Sequence, residues 1–165
     1  MADLRKAFSK IYDQNVGRIY RFVFLKVNSQ DIAEDITADT FLKGWQAFQD
    51  KQAKIDNPKA FLYQISRNLV IDYYRQKDRT QTEPADTVID YRSDIGQQVS
   101  LGSDIDQIRK LLPELNQDYQ DVIIWHYLDD LPIPEVARLL KRSEEATRVL
   151  LSRALKSLRK KLPEA

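Results

Sequence analysis

The sequence predicts an all-α protein: two small helical bundles joined by a flexible acidic linker, the C-terminal one carrying a helix-turn-helix. Three observations predict it. Only four glycines occur among 165 residues, too few for turn-rich β structure. Apolar residues recur at three- and four-residue steps in two separate stretches, the period of helices that bury one face. Between them, residues 80–104 lose that period, hold Pro84, Gly96 and Gly102, and carry an excess of acid, the composition of a tether rather than of a core. The expected organisation is a first bundle over 1–79, a linker over 80–104 and a second bundle over 105–165.

In the first bundle, Phe8, Ile11, Tyr12, Val16, Ile19, Tyr20, Val23, Phe24 and Val27 form a helical stripe over 4–27. Asn28, with Asp31 three residues on, reads as the start of a second helix with an acid in its first turn. It runs to about Phe48, with Ile32, Ile36, Phe41, Leu42, Trp45 and Phe48 expected inward. Asp56-Asn57-Pro58 is a turn signal, and Pro58 suits the first turn of a third helix. That helix spans roughly Lys59 to Lys77 and would bury Phe61, Leu62, Ile65, Leu69 and Tyr73. A short helical piece is expected in the linker around Ile89–Val99.

The second bundle opens with Ile105, Ile108, Leu111 and Leu112, which Pro113 ends. A helix over Gln117–Leu128 would bury Tyr119, Val122, Ile123 and Tyr127. Pro132 and Pro134 punctuate the start of a short helix to Leu140, packed by Val136, Ala137 and Leu140. A tight turn at Lys141-Arg142 leads to a long helix from Ser143, whose Leu151, Leu155, Leu158 and Leu162 fall at helical spacing.

Charge adds a functional hint. The net charge is +1, but from Arg138 to Lys161 nine basic residues face only Glu144 and Glu145. From Thr80 to Asp106 six acids face a lone Arg92. A basic C-terminal segment suits a polyanion. Leu131–Ala154 has the parts of a helix-turn-helix, which sets its second helix in the DNA major groove. Ser143 is a good N-cap. The outward face offers Ser143, Glu144, Glu145, Arg148, Val149, Ser152, Arg153 and Lys156. Carboxylates accept from cytosine N4 and Arg forks onto guanine, while the basic side chains near the helix end suit phosphates.

Enzymatic chemistry is not expected. There are no cysteines, which excludes disulfides and thiolate metal sites. The single histidine, His126, sits in an apolar helical segment with no second His to complete a site, so it reads as structural. No Gly-rich phosphate loop occurs. No catalytic residue, metal or cofactor is therefore expected. Met1–Lys6 lacks the apolar core of a signal peptide, and no apolar run approaches a membrane span, so a cytoplasmic protein without membrane insertion is expected.

At this point the chain resembles a known family. Asp31-Ile-Ala-Glu-Asp-Ile-Thr-Ala-Asp-Thr-Phe-Leu-Lys-Gly-Trp45 is similar to the signature of region 2 of bacterial sigma factors. Pro58-Lys-Ala-Phe-Leu-Tyr-Gln-Ile-Ser-Arg-Asn-Leu-Val-Ile-Asp-Tyr-Tyr-Arg75 resembles the stretch that follows it. Leu112–Leu115 and Val136–Leu158 resemble region 4. Region 3 has no domain-sized counterpart, which points to the extracytoplasmic-function group. The resemblance implies a protein that docks on core RNA polymerase, at the clamp coiled coil and the flap, and directs it to promoter DNA.

It implies roles for residues. The second helix would meet the clamp through Asp31, Glu34, Asp35 and Asp39, acids that share one helical side and favour a basic partner. The third helix and its preceding turn would read the −10 element as separated strand through Asn57, Lys59, Arg67, Asn68, Asp72 and Arg75. Tyr63, Tyr73 and Tyr74 offer stacking surfaces, although aromatics at helical spacing are usually core. The recognition helix would read the −35 element in duplex form. An anti-sigma factor is an expected partner. Two departures bear on −35 recognition. The usual Gly-Ile of the turn is Lys141-Arg142 here, and the usual Val and Arg of the recognition helix are Thr147 and Leu150. In the second helix Ala38 stands where Gln is usual. The alternatives from other classes are a free-standing helix-turn-helix regulator that dimerises through its first bundle, and a helical adaptor that binds no DNA.

Overall fold

The computed structural model describes residues 2–51, 55–79 and 103–162. The described residues are helical apart from short connections, as the sparse glycines predict. The chain divides into two compact units, Met1–Ile95 and Gly96–Ala165. The expected helical piece around Ile89–Val99 lies outside the described residues. No helix among those described is long and apolar enough to cross a membrane.

The first unit is a three-helix bundle of α1 (Ala2–Val27), α2 (Gln30–Lys51) and α3 (Pro58–Arg79), each packed on the other two. The last turns of α1 are enclosed on every side: Phe22, Val23, Phe24, Leu25 and Lys26 are at most 2 % exposed. Asn28 ends the helix in the left-handed region (φ 59°), where its N–H donates to the Phe24 carbonyl (2.8 Å), a single-bond helix stop. Ser29, not Asn28, caps α2. Its Oγ accepts from the Ile32 N–H at 3.4 Å and its carbonyl from Ala33 at 2.9 Å. An Asn tolerates positive φ better than a Ser does, so the two residues divide the turn between them.

The inward face of α2 is Ala33, Ile36, Thr37, Thr40, Phe41 and Gly44. A Cβ on Gly44 would stand 2.8 Å from Leu62 Cδ2, so the glycine lets α3 approach. Leu42 and Tyr12, both expected in the core, are 55 % and 43 % exposed. Phe41 takes the inward place beside Leu42, and the Tyr12 ring lies against the edge of Phe41 (4.8 Å between centroids).

In α3 the buried line is Leu62, Tyr63, Ser66 and Val70. Of the expected stripe only Leu62 is fully enclosed; Phe61, Ile65, Leu69 and Tyr73 are half-buried. The buried face is turned by one residue because the small Ser66 fits the crossing and Tyr63 packs edge-on against Phe22 (5.6 Å). The Tyr74 hydroxyl donates to the Lys26 carbonyl, which ties α3 to the last turn of α1.

The second unit comprises α4 (Ser103–Leu111), a 3₁₀ turn (Leu112–Glu114), α5 (Gln117–Ile123), α6 (Ile133–Leu140) and α7 (Glu144–Lys161). Asn116 caps α5 through Oδ1, which accepts from the Tyr119 N–H (2.9 Å). The helix expected over Gln117–Leu128 is not regular. It widens into a π-helical turn at Ile124–Leu128, closed by Asp129 N–H donating to the Ile124 carbonyl at 2.9 Å. Gln120 through Trp125 are all buried, so this segment is the centre of the unit, whereas Tyr127 is half-exposed. His126 Nδ1 donates to the Leu131 carbonyl (2.9 Å) and so holds the turn into α6. In α6 Val136, Ala137 and Leu139 are buried, with Leu140 at the edge.

Candidate nucleic-acid and protein interfaces

The helix-turn-helix is built from α6, its turn and α7. Lys141 takes the left-handed conformation (φ 56°, ψ 45°) that ends α6. Its N–H donates to the Arg138 carbonyl at 3.2 Å, and the Arg142 N–H to the Ala137 carbonyl at 3.0 Å, the paired bonds of a Schellman stop. Where an apolar staple is usual, Arg142 reaches back to Asp118 on α5 (2.6 Å). Both side chains of this ion pair are partly exposed.

Ser143 is the N-cap of α7; its Oγ accepts from the Ala146 N–H (3.0 Å). The core line of α7 is Thr147, Leu150, Ala154 and Leu158, with Leu151, Leu155 and Leu162 half-buried beside it. The expected leucine stripe therefore forms one edge of the buried face, and only Leu158 lies on its centre. Thr147 is fully buried and donates its hydroxyl to the Ser143 carbonyl (2.8 Å). Leu150 is buried as well, so both departures from the usual recognition-helix residues face the core of this unit.

All eight residues expected to face outward do so: Ser143, Glu144, Glu145, Arg148, Val149, Ser152, Arg153 and Lys156 are exposed. Glu144 and Arg148 lie 3.6 Å apart, an exposed pair that is cheap to open. The acids at the start of α7 and Arg159, Lys160 and Lys161 at its end also complement the helix dipole, so part of this charge stabilises the helix itself.

On α2, Asp31, Glu34, Asp35 and Asp39 are all exposed and share one side. Gln30 Nε2 donates to Glu34 (3.3 Å). Ala38 and Leu42 continue the same side. Beside it, between α1 and α2, lies a mainly apolar hollow of about 370 Å³ walled by Tyr12, Tyr20 and Phe41, with Gly17 and Glu34 on its lining. Burial, and next the Glu34 carboxylate, raise the Tyr20 hydroxyl above 10.0. Sequence reasoning missed this hollow. Its signal was Gly17: a mid-helix glycine costs about 1 kcal/mol relative to Ala, and a Cβ there would meet nothing within 4 Å, so no packing inside the unit requires it.

On α3, Asn68, Asp72 and Arg75 are exposed along one side, and Lys59 and Arg67 are half-exposed. Asp72 and Arg75 lie 3.9 Å apart. Asn57 is the N-cap of α3; its Oδ1 accepts from the Ala60 N–H (3.1 Å). Tyr63 is enclosed and cannot stack on a base. Tyr73 and Tyr74 pack on each other (5.2 Å, edge-on). The half-buried Phe61, Ile65 and Leu69 are the apolar surface that α3 leaves near solvent.

Comparison with known proteins places the chain in a family. The family model for sigma-70 region 2 matches residues 11–80, and that for sigma-70 region 4 matches residues 105–158. Among curated relatives, the extracytoplasmic-function RNA polymerase sigma factor BldN of Streptomyces coelicolor is 26 % identical over 96 % of this chain, which spans 61 % of that protein's length. The corresponding sigma factor SigX of Bacillus subtilis is 24 % identical over 95 % of this chain and 84 % of its own. Among solved structures, the sigma factor RpoE of Bartonella quintana, held in complex with the anti-sigma factor NepR, shares the fold with a TM-score of 0.72 at 23 % identity, covering 94 % of this chain and 96 % of that one. CnrH in complex with the cytosolic domain of CnrY does so at 0.67 and 20 %, over 93 % and 86 %. Two family models in their proper order, relatives along nearly the whole chain and a shared helical fold agree: this chain belongs to the sigma-70 family, as a sigma factor of the extracytoplasmic-function group that directs RNA polymerase to promoters.

Proposed function

We propose that the chain performs this role through three helix faces, divided between a module over 1–79 and a module over 105–165 that residues 80–104 tether. Asp31, Glu34, Asp35 and Asp39 of α2 meet a basic surface of core RNA polymerase at its clamp coiled coil, and the second module docks on the flap. Asn57, Lys59, Arg67, Asn68, Asp72 and Arg75 hold the separated strand of the −10 element; an amide both donates to and accepts from base edges, and the cations take phosphates. Glu144, Glu145, Arg148, Val149, Ser152, Arg153 and Lys156, with Ser143 at the cap, face the −35 duplex. The observation that carries the reading is the recognition helix. Its polar and basic side chains are exposed along one face while Thr147, Leu150, Ala154 and Leu158 anchor the other.

Chemistry in this scheme belongs to the polymerase, and the sigma factor contributes binding alone, in the cytoplasm. An anti-sigma protein that covers these faces is the expected regulator, as NepR and CnrY accompany the two solved relatives. Run-off transcription by reconstituted core polymerase on a randomised promoter library tests the reading. Enrichment of two short elements at a fixed spacing supports it. Transcription that does not depend on the chain, or enrichment of a two-fold symmetric operator, overturns it.

A further inference from the structure

The recognition helix α7 is 18 residues long, about 27 Å at 1.5 Å per residue. Its buried line of Thr147, Leu150, Ala154 and Leu158 fixes rotation about its own axis. One line of contacts constrains tilt less. Over that length a tilt of about 5° moves one end by about 2 Å. A base-edge hydrogen bond does not survive such a displacement, so whatever holds the ends of α7 bears on what it reads.

Both ends are tied to one stretch of chain, Glu114–Asp118, by ion pairs. At the start, Arg142 Nη2 donates to Asp118 Oδ2 at 2.6 Å. At the close, Lys161 Nζ donates to Glu114 Oε1 at 3.3 Å. The first pair is shorter and less exposed than the 3.6 Å pair of Glu144 and Arg148 on the DNA face. Asp118 stands on a firm base: it lies in the first turn of α5, and Gln120–Trp125, which follow, are buried throughout. Arg142 sits between the left-handed stop at Lys141 and the Ser143 cap. Drawing Arg142 toward α5 therefore sets the direction in which α7 leaves the turn. A partly exposed ion pair adds little to stability, so its contribution here is geometric.

We infer that Asp118 is a positioning residue for −35 recognition: through Arg142 it sets the angle at which α7 enters the groove, while Glu114 and Lys161 hold the far end. The inference rests on the sigma-factor reading and adds to it a residue of α5, outside the helix-turn-helix. Neither acid belongs to the exposed face of α7 that meets DNA. The rival role, an acid that merely withholds Arg142 from a phosphate, predicts the opposite change in salt dependence and is separated by the test.

The test uses holoenzyme assembled from core polymerase and the full chain. Its affinity is measured over a salt series for the promoter recovered from the randomised library and for the same promoter with the −35 element scrambled. The ratio of the two affinities is the readout. Asp118→Asn is expected to lower it about fivefold, the low end of what one bidentate base contact contributes. Affinity for the scrambled promoter, affinity for core and the urea midpoint of the second unit should change little, because the pair is partly exposed. Arg142→Gln should lower the ratio equally, and the double variant no further, since both remove one interaction. Asp118→Glu, which keeps the charge, should retain most of the ratio. An unchanged ratio in Asp118→Asn overturns the inference, as do losses that multiply in the double variant. So does a parallel loss on both promoters with a lowered urea midpoint, which marks a structural role alone. Tighter binding to both promoters, with a salt slope steeper by about 0.9, would mark Arg142 as a phosphate contact that Asp118 masks, and overturns it too. A parental holoenzyme indifferent to the −35 element overturns the −35 reading itself; a discriminating parent with an equally discriminating Asp118→Asn variant overturns the role of Asp118 alone.

Discussion

Lys141→Gly isolates the conformational cost of the helix-turn-helix. Lys141 is exposed and adopts φ 56°, where a side chain bearing Cβ costs on the order of 1–2 kcal/mol. Glycine removes that strain but gives the unfolded chain more freedom, which costs about 0.5–1 kcal/mol. The difference is a net stabilisation of about 0.5–1 kcal/mol, because the paired turn bonds from residues 141 and 142 use backbone N–H groups that glycine retains. Trp125 is fully buried in this unit, and in a Trp45→Phe background its fluorescence reports this unit alone. Urea unfolding should show a higher midpoint at unchanged slope. Thermal unfolding should rise by about 2–8 °C, since 1 kcal/mol moves a domain of this size by roughly 4–8 °C. Lys141→Ala serves as control: it removes the same charge and keeps the strain, and should stay within about 0.5 kcal/mol of the parent, as exposed substitutions do. Equal stabilities for the Gly and Ala variants, or a less stable Gly variant, would refute the argument that backbone conformation sets this cost.

Three further outcomes follow from the same structure. Tyr74→Phe deletes the hydroxyl that donates to the Lys26 carbonyl and should cost the first unit about 1–2 kcal/mol, measured by urea unfolding followed at Trp45. Replacing Arg148, Arg153 and Lys156 with Gln should weaken binding to −35 duplex and lower the salt slope by about 0.9 for each phosphate left without its cation; unchanged slopes in a fluorescence titration would remove these residues from the DNA face. Because burial and Glu34 raise the Tyr20 hydroxyl above 10.0, the unfolded chain releases that proton first, so folding stability falls as pH rises through 10. The slope of stability against pH above 10 should be shallower in Tyr20→Phe than in the parent.

Much of the fold was legible because helices announce themselves locally. The three- and four-residue spacing located every long helix, the Asp56-Asn57-Pro58 turn and Ser143 marked two of their starts, and Lys141-Arg142 was legible as a tight turn. What spacing leaves open is rotation. In α3 a stripe centred on Phe61, Ile65 and Leu69 and one centred on Leu62, Ser66 and Val70 satisfy the same period, and only packing against Phe22 through Tyr63 selects the second. The same ambiguity sent Thr147 and Leu150 of α7 inward. The π-helical turn at Ile124–Leu128 also escaped local rules, because it depends on how a central segment meets its surroundings.

The sequence by itself determined the helical class, the order of the elements, the charge of each exposed face and the family, since these depend on residue type and on contacts within a turn or two. The tertiary structure alone decided which flank of each helix is buried, that Arg142 is held by Asp118, and that Lys161 reaches Glu114. Those outcomes join residues that chain distance keeps apart, and their energies exist only once the helices have packed.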